Sequence, residues 1–207
     1  MKSTIVTILM LVAGSNLLHA QNKTANKSSA PVKQLFMDVH YLEPGKVSFD
    51  DVAKAHEKDL AVQSKFGVSF LKFWVDEKNG LVYCLSSAPD SAAVNHTHAA
   101  AHGLMPGKIY NVTAGEETAG IKPENLFLDI HYLGAGKVTA KDVSEAHKKD
   151  LAVEGINDVR FINYWVDEKE GVVMCLSQAT DKQAVVQTHT MAHGLIPASV
   201  ESVKEGK

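Results

Sequence analysis

Histidine residues recur at matched positions in the two halves of this 207-residue chain. Residues 35–110 align with residues 126–201 without a gap, and 41 of the 76 aligned positions are identical. Carboxylates and one cysteine recur with the histidines, and these side-chain types together bind nickel, zinc and copper ions. The repeated set therefore predicts metal-binding chemistry in each copy. The matched histidines are His40, His56, His98 and His102 in the first copy and His131, His147, His189 and His193 in the second.

Two of these histidines have the spacing of a helical chelate. His98 and His102 are four residues apart, which places both imidazoles on one face of a helix, where they can hold one ion. As cations near a helix C-terminus they would also be favoured by the helix dipole in the absence of any metal. The glutamate of the HExxH motif is missing, because residues 99–101 are all alanine, so the sequence excludes a metalloprotease.

Aspartates accompany the other two histidines. Asp38 and His40 share one face of a predicted strand, and burying them is costly unless they are paired or bound to an ion. His56 and Asp59 are three residues apart on a predicted helix. They could bind a metal, Asp59 could orient an imidazole, or the pair could form a purely structural hydrogen bond.

The two cysteines occupy equivalent positions in the copies. An oxidising compartment would permit a disulfide between Cys84 and Cys175, provided that both approach a pseudo-twofold axis. They could equally be buried free thiols or metal ligands. The sequence leaves these three alternatives open.

The elements that position these residues follow the same order in each copy. Alternating apolar residues predict strands, helical periodicity after Ser48 and Asp90 predicts two helices, and Asn79-Gly80 predicts a hairpin turn. The order is β-α-β-β-α-β, which is the ferredoxin-like unit of an α+β protein. In the first copy the strands are expected at 35–42, 68–76, 81–88 and 108–112, and the helices from Ser48 to about Lys65 and from Asp90 to His102.

Such a unit covers one face of its sheet with helices and leaves the other face to be buried. We therefore expect the two copies to pack as an intrachain pseudo-dimer resembling an α/β barrel. Met37 and Val39 are expected to face the helices, which would direct Asp38 and His40 towards the partner copy. The expected result is a cavity between the sheets, lined by Asp38, His40, Trp74 and Cys84 and by their counterparts.

The net charge and the isoelectric point of the chain indicate whether it could bind nucleic acid. The formal net charge is −3 and the isoelectric point is near 6.4, which gives no basic surface for a nucleic-acid backbone. We therefore expect no binding to nucleic acid.

The N-terminus has the pattern of an export signal. Lys2 precedes the apolar run Ile5–Val12, and Leu18-His19-Ala20 resembles a cleavage site. The apolar run is too short to span a membrane. We expect a signal peptide over 1–20, a flexible tether over 21–33, repeats over 34–113 and 125–204, and a linker over 114–124. The mature protein is then expected in the periplasm or outside the cell.

Four motifs of the first copy carry a family resemblance: FMDVHYL, AHEKDLAVQ, FWVDE followed by YCL, and HTHAAAHGL. The second copy gives FLDIHYL, AHKKDLAVE, YWVDE with MCL, and THTMAHGL. Together they resemble the small ferredoxin-like nickel-binding domains, long catalogued as a domain of unknown function. Members of that family are typically single domains that pair as dimers. This chain resembles a covalently linked dimer, and it departs from the pattern in its leader and in Glu154 where the first copy has Gln63.

The resemblance implies binding of nickel, with zinc or copper also compatible with the ligand types. Together with the export signal, the resemblance leads us to expect an exported, non-catalytic metal-binding protein that acts as a monomer. The alternative is a small-molecule enzyme of the dimeric α/β-barrel type that uses the cavity between the sheets. A third possibility is a structural module whose histidines are satisfied core groups. The ligands that the resemblance implies are Asp38, His40, Cys84, His98 and His102, with Asp129, His131, Cys175, His189 and His193.

Overall fold

A computed structural model describes residues 32–120, 122 and 124–207. The predicted signal peptide and most of the predicted tether lie outside these residues. Among the residues described, no helix is long and apolar enough to cross a membrane.

Both repeats are mixed α+β and contribute two helices and four strands each, as the sequence predicted. A short 3-10 segment follows the first helix of each repeat, at Gln63–Phe66 and Glu154–Ile156. The first repeat comprises β1 (Gln34–Tyr41), α1 (Phe49–Val62), β2 (Ser69–Asp76), β3 (Leu81–Ala88), α2 (Ser91–Ala101) and β4 (Lys108–Ala114). The second comprises β5 (Leu126–Tyr132), α3 (Ala140–Val153), β6 (Arg160–Asp167), β7 (Val172–Gln178), α4 (Lys182–Ala192) and β8 (Ser199–Gly206).

Capping residues fix where the helices begin. Ser48 and Asp51 form a reciprocal capping box at α1, and the Asp90 carboxylate accepts a hydrogen bond from the third residue of α2. Glu77, in the turn between β2 and β3, accepts a hydrogen bond of 2.7 Å from the Phe49 amide. The hairpin therefore holds the first turn of α1 against the edge of the sheet.

The eight strands form one closed barrel in the order β1-β3-β2-β8-β5-β7-β6-β4. Two pairings join the repeats, because β2 pairs with β8 and β4 pairs with β6, both antiparallel. Within the described ranges every strand of the barrel has a neighbour on both sides, although β4 and β6 pair through only two residues each. The two repeats therefore share one sheet instead of only touching face to face.

Apolar residues from both repeats fill the middle of the barrel. Met37, Val39 and Trp74 pack there against Leu128 and Trp165. The two indole rings meet with their centroids 5.0 Å apart. The prediction that Met37 and Val39 face the helices is therefore wrong. The barrel interior is enclosed by both repeats, so it takes the most apolar strand faces, and the opposite faces lie under the helices.

A bulge in β2 overturns a second expectation. The register between β2 and β3 shifts between Phe70 and Lys72, which breaks the strict alternation of faces. As a result Phe70 packs under the helices with Cys84, whereas Trp74 points into the barrel. The cavity predicted between the sheets, with Trp74 beside Asp38, His40 and Cys84, does not form. A separate cavity of about 230 Å³ beside Trp74 and Trp165 includes none of the predicted ligands.

Candidate metal centre

Four polar side chains of the first repeat meet between the barrel wall and the helices. Asp38 and His40 come from β1, Cys84 from β3 and His98 from α2. Asp38 lies directly opposite Cys84 in the β1–β3 register, so both side chains leave the sheet on the same face. None of the four has more than 6% of its surface exposed. We call these four residues the inner group of the first repeat.

The inner group is tightly clustered. Nε2 of His40 lies 3.1 Å from Oδ1 of Asp38, and Nε2 of His98 lies 3.4 Å from the same oxygen. The two imidazole rings are edge-on, with their centroids 4.9 Å apart. A carboxylate, two imidazoles and a thiol thus converge in a space from which water is largely excluded.

The second repeat reproduces this arrangement. Nε2 of His131 lies 3.1 Å from Oδ1 of Asp129, and Nε2 of His189 lies 3.3 Å from Oδ2 of the same carboxylate. Here one ligand atom from each of the four residues lies within 4.8 Å of all the others. The inner group of the second repeat is Asp129, His131, Cys175 and His189.

Several atoms of the inner groups have no hydrogen-bond partner in the residues that the structure describes. They are both carboxylate oxygens of Asp38, Nε2 of His98, Oδ1 of Asp129 and Nδ1 of His131. Buried polar atoms are normally paired, and an uncompensated buried carboxylate is especially costly. A divalent cation coordinated at these atoms would remove that cost, so the donor set fits a metal ion.

A second carboxylate lies on the other side of the His98 ring. Oδ1 of Asp59 is 3.1 Å from Nδ1 of His98, and Oδ2 is 3.2 Å from Nε2 of His102. Nδ1 of His102 accepts a hydrogen bond of 3.1 Å from the Leu104 amide, so the ring proton of His102 sits on Nε2 and points to Asp59. We call Asp59, His98 and His102 the outer group. Its counterpart in the second repeat is Asp150, His189 and His193.

His98 belongs to both the inner and the outer group, and its two ring nitrogens face different partners. His98 presents Nε2 to the inner group and Nδ1 to Asp59. Histidines that ligate metals usually donate their second ring N–H to a carboxylate or carbonyl, which fixes the tautomer and the ring plane. Asp59 supplies that carboxylate from the neighbouring helix. The ring is therefore oriented for coordination through Nε2.

The charges of the site are set by burial and by the close pairing of acids and imidazoles. Burial raises the pKa of Asp38, but the adjacent imidazoles outweigh it and hold that pKa below the ordinary value. The same balance lowers the pKa of Asp59. Burial lowers the pKa of His98, but Asp38 and Asp59 raise it to about 9, and the matching aspartates raise that of His189 to about 10. These raised pKa values place both shared rings in the imidazolium form at neutral pH.

The family of the chain follows from its sequence match. The profile described as "Nickel responsive protein SCO4226-like" matches residues 36–112 and again residues 127–203. The chain belongs to this family. The two matches coincide with the two groups of metal-capable residues and confirm the family predicted from the motifs.

Solved structures give two further comparisons. SCO4226 from Streptomyces coelicolor A3(2) is 32% identical over 37% of this chain and 93% of that protein, with a TM-score of 0.35. Chlorite dismutase from Candidatus Nitrospira defluvii is 7% identical over 84% of this chain and 90% of that protein, with a TM-score of 0.48. Likenesses at these TM-scores carry no inference about function. No curated protein matches the chain.

The structure places the ten predicted ligands of this SCO4226-like chain in two clusters, one in each repeat. Asp59 and Asp150 join them; the sequence paired Asp59 with His56, as metal ligands, as an aspartate that orients an imidazole, or as a structural hydrogen bond. In the structure Asp59 contacts the histidines of α2 instead. Its recurrence in both copies was the only signal, because the crossing of the two helices is not visible in the sequence. Asp76, which recurs as Asp167, is outside both clusters, and its carboxylate accepts a hydrogen bond of 2.7 Å from the side-chain amide of Asn79.

The two cysteines do not form a disulfide. Both are free and buried, and each packs in the helix-side core of its own repeat. Burial raises the pKa of the Cys84 thiol well above its ordinary value, and the nearby Asp38 raises it further. Cys175 behaves in the same way beside Asp129. Each thiol therefore stays protonated unless an ion binds to it.

Proposed function

We propose that this chain is an exported, non-catalytic metal-binding protein of the nickel type that holds one ion in each repeat. The inner groups hold the ions. In the first repeat the ligands are Asp38, His40, Cys84 and His98, and in the second they are Asp129, His131, Cys175 and His189.

The observation that carries this proposal is the environment of the His98 ring. Its Nδ1 lies on a carboxylate, and its Nε2 is buried with no hydrogen-bond partner among the described residues. The unpartnered oxygens of Asp38 lie beside it. In the second repeat Nε2 of His189 lies 3.3 Å from Oδ2 of Asp129, and there Oδ1 of Asp129 is buried without a partner in the described part of the chain. Each inner group thus keeps at least one buried donor atom that a bound ion would satisfy.

The outer groups have a supporting role in this proposal. His102 and His193 are implied as ligands by the family resemblance. Their ring protons, however, point to Asp59 and Asp150, and their Nδ1 atoms accept backbone hydrogen bonds. Binding an ion would require these rings to change tautomer and lose a bond. We therefore infer that they help to orient the shared rings of His98 and His189.

Nickel is the first candidate because the family is described as nickel responsive. The donor set does not itself select the metal, since imidazole, carboxylate and thiolate also suit zinc and copper. Binding at a buried site with four side-chain donors supports capture or sequestration of the ion.

We also propose that the two repeats of the chain form a covalently linked pair of domains. The family profile matches twice, and strands from each repeat pair with strands of the other. We infer two ferredoxin-like units joined as an intrachain pseudo-dimer, so the protein would act as a monomer. The leader pattern supports a periplasmic or secreted location, which cell fractionation of the tagged full-length chain would test.

The deciding experiment measures bound metal and the heat of binding. Purified protein without a histidine tag is titrated with Ni(II), Zn(II) and Cu(II), and its metal content is determined by mass spectrometry. We expect two ions per chain, one ion after either His40→Ala or His131→Ala, and none after both. His96→Ala is the matched control, because this histidine of α2 is exposed and outside both groups.

Retention of two ions by the His40→Ala/His131→Ala variant would refute the assignment. An unaltered circular dichroism spectrum establishes that a loss of metal does not reflect unfolding.

A further inference from the structure

A pocket of about 90 Å³ opens beside the metal-capable residues of each repeat. One wall of the first pocket carries His40, Cys84 and His98. The other polar residues of the pocket lining are Asp51, His56, Asp59 and His102, and the rest of the lining is apolar. The apolar lining residues are Leu42, Val47, Val52, Ala55, Val82 and Leu104.

The lining of this pocket is the same in both repeats. All thirteen residues that line it in the first repeat are identical to their counterparts in the second. Across the whole repeat only 41 of 76 positions are identical. Holding an ion requires the donor residues, but it does not require an identical apolar lining. The apolar residues that line the pocket have therefore been retained in both repeats, as the donor residues have.

A further histidine lines each pocket without belonging to either metal-capable group. His56 is 4% exposed, and its Nδ1 has no hydrogen-bond partner in the described part of the chain. Its ring packs on that of Phe73 with centroids 4.8 Å apart. Burial lowers the pKa of His56, although Asp59 opposes it, and burial likewise lowers that of His147. Each ring is therefore neutral and can offer one hydrogen bond to a molecule in the pocket.

We propose that each pocket admits a small neutral ligand that binds the metal ion through one nitrogen, oxygen or sulfur atom and rests its apolar part on the apolar lining residues. His56 and His147 provide the hydrogen bond to that ligand. The inference rests on the proposed metal sites and extends them, because a protein that only stores ions needs no space for a second molecule.

The volume and the charge of the site define the class of ligand. A water molecule takes about 30 Å³ in the liquid, so the pocket holds about three waters or an organic molecule of about five non-hydrogen atoms. The carboxylates of Asp38 and Asp59 balance a divalent ion, and Cys84 bound as a thiolate would add a third negative charge. An added anion would leave an uncompensated charge beside apolar walls, which is unfavourable. A neutral ligand avoids that cost.

The test is a ligand titration of the Ni(II)-loaded protein followed by its absorption spectrum. Imidazole is the neutral probe and azide the anionic probe. We expect a saturable spectral shift with imidazole and at least tenfold weaker binding of azide. 2-Phenylimidazole, which is too large for the pocket, should give no shift.

Two pairs of substitutions distinguish ligand binding in the pocket from binding of the metal ion. Ala55→Leu with Ala146→Leu fills both pockets and leaves every donor in place. We expect this variant to keep two nickel ions and to bind imidazole at least tenfold more weakly. His56→Leu with His147→Leu should also keep both ions and weaken imidazole binding about fivefold, since one hydrogen bond is lost.

The outcomes distinguish the two proposals. If the protein carries two nickel ions but imidazole produces no shift, the ligand pocket is refuted and the metal site stands. If azide binds as tightly as imidazole, the proposal that the ligand is neutral is wrong. If 2-phenylimidazole binds, the proposed limit on the size of the ligand is wrong. Absence of bound nickel would refute the metal site itself. If the variant with Ala55→Leu and Ala146→Leu does not fold, the comparison of imidazole with 2-phenylimidazole on the unmodified protein tests the pocket instead.

Discussion

Nδ1 of His189 lies 3.0 Å from Oδ1 of Asp150, although the two residues are 39 positions apart on different helices. His98 and Asp59 form the same contact at 3.1 Å in the first repeat. Because the histidines are carried by α4 and α2 and the aspartates by α3 and α1, the crossing of each helix pair sets the plane of the ring. The contact thus ties helix packing to the orientation of a proposed metal ligand.

The first prediction concerns these two aspartates. Asp59→Asn with Asp150→Asn keeps the size of the side chains and removes the charge that orients the shared rings. We expect metal affinity to fall about 10- to 100-fold while the stoichiometry remains two ions per chain. Competition against a chromophoric chelator measures the affinity. Asp50→Asn, an exposed change on α1, is the control. Loss of stoichiometry at saturating metal would instead make the aspartates direct ligands.

Much of the fold could be predicted from local patterns. The Asn79-Gly80 turn predicts a strand at 81–88, and β3 has these bounds in the structure. The ends of α2 are also set by local features. The Asp90 side chain caps its start, and Gly103 follows its end in a left-handed conformation with φ of +77°.

The face that each strand presents could not be predicted in the same way. Alternation groups Asp38 with His40 and Val82 with Cys84, but it does not say which group meets the helices. That depends on closure of the barrel, which buries one face of every strand between the repeats. The bulge between Phe70 and Lys72 is likewise set by pairing with β3, and strict alternation misplaced Trp74. The candidate ligands were therefore identified by type, but their surroundings were not.

The second prediction concerns the pH dependence of metal binding. The pKa of His98 is about 9, so at neutral pH an ion must displace a proton from this ring. The apparent affinity should therefore rise about tenfold per pH unit between pH 6 and 8 for each proton displaced. The Cys84 thiol would release a further proton if it binds the ion. Calorimetry in buffers of different ionisation enthalpy counts the protons.

Cys84→Ser with Cys175→Ser provides the internal comparison for that count. The number of protons released per ion should fall by one if the thiols are ligands. An affinity that is independent of pH in this range would show that the shared imidazoles do not coordinate the ion.

The third prediction concerns thermal stability. The apo protein buries carboxylates that a bound ion would neutralise. Free metal at about 100 times Kd should stabilise each site by about 2.7 kcal/mol, and two sites should raise Tm by about 10–20 °C in a chain of this size. Differential scanning calorimetry with and without Ni(II) measures the shift. Chelator should reverse it, and His40→Ala should reduce it by about half. A Tm that does not respond to metal would favour a purely structural role for the histidines.

The apo protein should show its own pH response. The raised pKa of His98 means that the folded state binds a proton more tightly than the unfolded state, whose value is near 6.5. This contribution is fully present below pH 6.5 and is lost as the pH rises towards 9. The Tm of the apo protein should therefore fall over this range. A rising Tm would contradict the ion pairing of His98 with its two aspartates.

The fourth prediction concerns the shared barrel core. Trp74 is fully buried against Trp165, and its Nε1 donates a hydrogen bond of 2.9 Å to Glu205 of the other repeat. Trp74→Ala should lower the free energy of unfolding by about 3–5 kcal/mol, because it opens a cavity at the contact between the repeats. Chemical denaturation measures this loss, and Trp74→Phe should cost less because part of the ring volume remains.

The form of that unfolding curve tests how the repeats are joined. Pairing of β2 with β8 and of β4 with β6 makes each repeat part of the other's sheet. We therefore expect a single cooperative transition, followed identically by far-ultraviolet circular dichroism and by tryptophan fluorescence. Two separated transitions, with only one shifted by Trp74→Ala, would mean that each repeat folds alone. In that case the metal sites would also be independent of barrel closure, and an isolated repeat spanning 34–113 would bind one ion.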